Sequence, residues 1–212
     1  MTTRRFRPPA QFALVICLLL TGCKMVDSQN PLVAPEKAML DLRLVGAWTA
    51  HDSKQPDSIV YVHVGTAGNG FPDGMMRAVW IEHSAVRFEL RQFFFLARTI
   101  GDRTYLSIVL PKDEKTPETW NPADVGTWLF AQADVSESKV SLRFTPVPKA
   151  FEKAASASAA KFGQSPSNKY GYELNGTTDE IARVFAAAGP ELFDGKHPMV
   201  LSRLRPPEDP AR

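Results

Sequence analysis

Cysteine is nearly missing from this 212-residue chain: there are two, Cys17 and Cys23. Downstream of residue 23 there is therefore no sulfur for a disulfide, a thiolate metal site or a thiol nucleophile. Long hydrophobic runs are missing too. The longest, 12–20, holds nine apolar residues, under half of the roughly 20 that a membrane-spanning helix needs. The four histidines, His51, His63, His83 and His197, fall in no His-x-His or His-Glu-x-x-His spacing, so no zinc site is encoded locally. A Gly-x-Ser-x-Gly nucleophile elbow is absent. Gly65-Thr-Ala-Gly68-Asn-Gly70 lacks the Gly-Lys-Ser/Thr of a phosphate loop and leads into no helical pattern, so it reads as turn. No repeat of 20 to 50 residues is visible. From these absences no metal and no dissociable cofactor is expected.

What is present begins with the leader. Arg4, Arg5 and Arg7 precede the apolar run, and no acidic residue occurs before Asp27. A basic start, a short apolar stretch and small residues after it define a secretory signal peptide. Its end, Leu20-Thr21-Gly22-Cys23, resembles the lipobox of bacterial lipoproteins. That resemblance implies export by the general route, cleavage before Cys23, and a diacylglyceryl and an acyl group on Cys23. Lys24 in the next position, where an Asp would retain the protein, resembles lipoproteins sent to the outer membrane, here at its periplasmic face. Removing the leader takes three of the 25 basic residues and none of the 23 acidic ones. The mature chain is then close to neutral and offers no basic excess for nucleic acid. The expected organisation is a signal peptide over 1–22, a lipidated tether over 23–37, one globular domain over 38–204 and a disordered tail over 205–212.

The domain opens with Leu42-Arg-Leu-Val-Gly-Ala-Trp48. Its Gly46-x-Trp48 resembles the first strand of lipocalins, which implies a β barrel closed at one end by the tryptophan. Residues 58–64 alternate, with Val60, Val62 and Val64 on one face. A strand over 75–82 follows. Val86, Phe88 and Leu90 alternate with Arg87, Glu89 and Arg91, which predicts a half-buried strand with a charged outer face. At 92–96 the alternation fails, and a bulge or a strand covered on both sides is expected. Further strands are predicted over 105–110, 126–133 and 140–144. Then come a helix over 148–162, a short strand near 170–174, and a helix announced by the capping box Thr177-Thr-Asp-Glu180. A strand over 199–204 closes the domain. The fold class is mainly β with added helices: an antiparallel barrel or sandwich of seven to nine strands, lipocalin-like, carrying two helices from the later part of the chain. The order of pieces, from Leu44–Trp48 through the capped helix and Leu192-Phe193 to Leu201-Ser-Arg-Leu204, also resembles a set of uncharacterised bacterial exported proteins.

Chemistry is less legible. Glu82 and Glu89 are expected on salt-bridged strand faces with Arg77, Arg87 and Arg91, the alternative being the interior. His63 and His83 lie on strands as polar surface residues, or meet in space at a site. The aromatic set Trp80, Phe88, Phe93, Phe94, Phe95, Trp128, Phe130 and Phe144 is either core or the lining of an apolar cavity. For the cavity, Trp80, Phe94 and Trp128 are the candidate ligand-binding residues. Because neighbours on a strand point to opposite sides, Phe94 is expected to share a face with Leu90 and Leu96. Phe93 and Phe95 would then meet a covering helix through Ile181, Val184 and Phe185. Two functions stay open: a non-catalytic binding or envelope-maintenance module for an apolar ligand or a protein partner, and an enzyme with a dispersed polar site.

Overall fold

The computed structural model describes residues 25–52, 55–84, 87–111, 119–166, 171–196 and 198–204. The leader, Cys23, Val86, His197 and the tail 205–212 lie outside these.

Eight antiparallel strands close into a lipocalin-like barrel: β2 (Gly46–Asp52), β3 (Gln55–Thr66), β4 (Met75–Ser84), β5 (Arg87–Ile100), β6 (Arg103–Pro111), β7 (Val125–Val135), β8 (Lys139–Arg143) and β11 (Met199–Arg203). Each pairs with its neighbour in this order, and β11 returns to pair with β2. The chain leaves the barrel twice. Before it, β1 (Val26–Ser28) pairs with β7; between β8 and β11, α1 (Pro148–Ser156), β9 (Lys161–Gln164), β10 (Tyr172–Asn175) and α2 (Thr178–Ala188) pack outside. Among the described residues no helix is long and apolar enough to cross a membrane.

Strand alternation divides the apolar residues between two cores. One fills the barrel: Trp48, Val60, Val62, Val64, Met76 and Phe95 belong to it. The other lies between the outer face of β4–β7 and the helices, with Phe94, Leu96, Tyr105 and Phe130 from the barrel. The α2 helix starts as its sequence predicts, with the Thr177 hydroxyl accepting from the Glu180 amide and the Glu180 carboxylate accepting from the Thr177 amide. Its apolar stripe, Ile181, Val184 and Phe185, is fully buried on the outer core. Phe185 meets Tyr105 and Phe130 edge-on, at 5.0 and 5.1 Å between ring centroids. Gly189, at φ 55°, ends the helix in a conformation that side chains disfavour.

Four expectations change. First, the segment 25–37 is not a free tether. Met25, Val26 and Leu32 are buried, the Leu32 amide donates to Ser107 Oγ at 3.0 Å, and the Arg98 guanidinium holds the Leu32 carbonyl. Apolar side chains at 25, 26 and 32 gain more from burial than the chain loses by being ordered. Second, α1 stops at Ser156 instead of reaching Phe162. The Ser158 hydroxyl accepts from the Ala160 amide, a local bond that competes with helix, and Phe162 joins β9, stacking on Phe151 and Tyr172.

Third, at 92–96 β5 is the strand covered on both sides, without a bulge, but its faces are exchanged. Its register with β4 runs unbroken from Met75↔Leu96 to Ser84↔Arg87. Phe94 and Leu96 face the outer core while Phe95 faces the barrel interior, the reverse of the predicted assignment; Phe93 is half-buried and pairs with Ala78 of the inner core. Fourth, this continuity fixes the rest of the strand. Glu89 and Arg91 turn inward, whereas Phe88 and Leu90 turn out to solvent, 67% and 53% exposed. The apolar lower half dictates the phase, and the upper half follows it against its own alternation.

Candidate functional site

The barrel has one sealed end and one accessible end. The sealed end lies where β2 starts and β11 finishes. Trp48 is 1% exposed there, its indole N–H donating to the Leu44 carbonyl at 2.9 Å. Arg203 covers the indole, its guanidinium carbon 4.1 Å from the ring centroid, and donates to the carbonyls of Arg43, Val45 and Glu137. Leu40, Leu44 and Val45 plug the interior beneath. Gly46 (φ 139°) makes room: a Cβ there would sit 2.6 Å from Arg203 Nη1.

The opposite end carries the β4–β5 connection. Inward-pointing residues there remain half-buried, which requires that solvent enters. Trp80 stands opposite Arg91, and Glu82 opposite Glu89. On the next strand Val62 and Val60 continue these two rows. Arg91 Nε donates to Glu89 Oε1 at 2.5 Å, with the two side chains 17% and 20% exposed. Glu82 makes no hydrogen bond or ion pair among the described residues. Cross-strand partners hold their Cβ atoms about 4.5–5.5 Å apart, so the two carboxylates share one small region. The ladder between β5 and β6 ends at Phe95↔Ile108. Ile108, Leu142, Phe144 and Met199 also pack on the barrel core.

These residues redistribute the sequence candidates. Of Trp80, Phe94 and Trp128, only Trp80 lines the barrel interior. Phe94 stacks on Phe71 at 4.6 Å and Trp128 meets Trp120 at 6.0 Å, both in the outer core. The three do not line one cavity. Glu82, Glu89 and Arg91 were expected on outer strand faces and lie inside instead, while Arg77 is exposed on the outer face, opposite Phe94. His63 pairs with Val79 and His83 with Ile59, placing both histidines on the outer face, away from the inward carboxylates. Among the described residues no three His, Cys, Asp or Glu side chains are grouped to hold a metal.

A concavity of about 770 Å³ lies outside the sealed end, between residues 33–43, the end of β5 and the start of α2. Its size suits a small molecule, but its arginines serve the fold. Arg43 pairs with Asp41 at 2.6 Å and donates to Thr104, and Arg98 holds the Leu32 carbonyl. The same Arg43 hydrogen bonds hold the Asp41 carboxyl below the usual carboxylate range.

The closing Leu-x-Arg-Leu strand was legible as a strand, yet the clasp of Arg203 on Trp48 was not; its signal was the glycine two residues before the tryptophan. No family model, no curated protein and no solved structure matches this chain.

Proposed function

We propose that this chain is a lipid-anchored binding module of the bacterial cell envelope, held through Cys23 at the periplasmic face of the outer membrane, and that its barrel receives a small, largely apolar ligand through the open end. The observation that carries the ligand reading is the contrast between the two ends. One is plugged by Leu44, Trp48 and Arg203; at the other, inward side chains stay half-buried above an apolar interior. The phase that the lower half of β5 imposes turns Glu89 and Arg91 inward while Phe88 and Leu90 face water, a local cost at the mouth of the barrel. Burying such apolar side chains is worth about 1.5–3 kcal/mol each, and conflicts of this kind concentrate at functional sites.

The anchor reading is supported by the leader and by a short connection. Only Lys24 separates Cys23 from buried Met25, and two residues span at most about 7 Å. A lipid on Cys23 would hold the domain directly against the bilayer. Because β1 joins at β7, the β3–β4 side lies across the barrel from that contact.

Native mass spectrometry of the protein released from membranes tests the ligand reading. A small molecule retained by the protein and displaced by added apolar compounds is expected. Protein that carries nothing, and that binds no apolar compound on titration, would overturn it.

A further inference from the structure

We propose that the outer face of β3–β5, on the half nearer the open end, is a self-association surface on which a second copy of this chain docks. The inference does not depend on what the barrel holds. Register across the three strands builds the face. Tyr61 pairs with Ile81 and Ile81 with Leu90; Ile59 pairs with His83 and His83 with Phe88. Strand alternation turns these six side chains outward, and none of them belongs to either core. Phe88 is 67% exposed, Leu90 53% and Tyr61 42%. None of the six carries a carboxylate, an ammonium or a guanidinium. The next row, through Val79, has none either, and the first guanidinium on this face is that of Arg77, opposite Phe94.

The chain's own helices do not cover this face. Phe94 and Leu96 pack into the outer core beneath them, whereas Leu90 and Phe88 on the same side of β5 stand in water. At roughly 200 Å² for a whole aromatic side chain, Phe88 and Tyr61 alone expose about 130 and 85 Å². With its aliphatic members the face comes to about 500 Å², near the upper end of what a monomer leaves in water. Two copies meeting on it bury about 1,000 Å², the least that a specific interface requires. The dimer is therefore expected to be weak. A two-fold contact sets the face against itself, and a face without carboxylates or guanidiniums does so without like-charge repulsion. A lipid surface is a poorer match. Surfaces of that kind set basic residues around their apolar ones, and β5 and β6 separate β4 from β7, beside which the anchoring segment enters.

The test is sedimentation equilibrium of residues 23–212 carrying Cys23→Ser, so that no lipid associates the chains; this span holds every residue of both cores. A reversible monomer–dimer equilibrium is expected, with a dissociation constant on the order of 10–100 μM. Phe88→Ser and Leu90→Ser should each weaken it about tenfold or more. Met39→Ser, which removes a side chain 81% exposed beside the sealed end, should leave it unchanged. Melting temperatures of dilute, monomeric protein should match the parent in all three, which separates loss of contact from loss of fold. A chain still monomeric at about 1 mM would overturn the proposal. So would a dimer that keeps its strength in both Phe88→Ser and Leu90→Ser, or one that Met39→Ser disrupts instead. Binding of the monomer to vesicles of phosphatidylethanolamine and phosphatidylglycerol, lost in Phe88→Ser, would assign the face to lipid and overturn it as well.

Discussion

Arg203 lies over Trp48 with its guanidinium carbon 4.1 Å from the indole centroid, and the same group ties three backbone carbonyls together. The first and last barrel strands are thereby clasped at the sealed end. Arg203→Ala removes the stacking contact and leaves carbonyls without donors, and should cost about 3 kcal/mol or more. Arg203→Lys should recover only part, because an ammonium cannot reproduce the planar fork. Gly46→Ala should also destabilise, since its backbone is at positive φ and its Cβ would collide with Nη1. Urea unfolding of the three variants checks the order; a neutral Arg203→Ala would mean the clasp contributes nothing.

The phenylalanines of β5 should separate by face. Phe94→Ala and Phe95→Ala empty fully packed positions, one in each core, and should each cost about 3–5 kcal/mol. Phe93, half-buried, should cost less. Phe88→Ser, on the outer face, should stay within about 0.5 kcal/mol of the parent, as exposed substitutions do. Thermal melts of the four variants distinguish this from the opposite strand phase, in which Phe88 would be the sensitive position.

That contrast also marks how far the sequence could be read. Val60, Val62 and Val64, the Thr177–Glu180 capping box and the Gly46-x-Trp48 start were legible because each is a local pattern whose cause lies within a few residues. The phase of residues 87–91 was not. Its alternation is clear, but the choice of face is made several residues away, where Phe94 and Leu96 must meet the helices and Phe95 the barrel core. The burial of 25–32 was hidden for a similar reason. Its partners are Ser107 and Arg98, far along the chain, and proline-bounded polar segments look like linkers in isolation. The open-end site was missed because Glu82 and Glu89 are ordinary surface residues until a register makes them face each other.

Asp27 gives the chain a pH dependence with a definite sign. Burial first, then the charge of its neighbour Glu173, push its carboxyl up to about 6 from 3.8, with partial relief from a Ser165 hydrogen bond. The folded chain therefore holds this proton more tightly than the unfolded one. The penalty for ionising Asp27 is absent below about 3.8, grows as the pH rises through 6, and is fully present above. Asp27→Asn should raise the melting temperature at pH 7.5, change it little at pH 3.5, and flatten the profile between. A variant that loses stability at pH 7.5 would contradict this assignment.

Cys23→Ala should abolish lipid attachment and leave unprocessed or soluble protein, measured by fractionation and intact mass. Insertion of a flexible Gly-Ser spacer between Cys23 and Lys24 should keep the protein with the membrane but expose the domain to added protease. Normal maturation and membrane retention of Cys23→Ala would end the anchor reading.

The ligand's position can be read from the four tryptophan indole N–H resonances, since Trp48, Trp80, Trp120 and Trp128 occupy the sealed end, the open end and the outer core respectively, the last two together. In a nuclear magnetic resonance titration with octanol, the Trp80 signal is expected to shift with saturation while the other three stay in place. Shifts of Trp120 and Trp128 with Trp80 unmoved would place the ligand under the helices and contradict the barrel-mouth site.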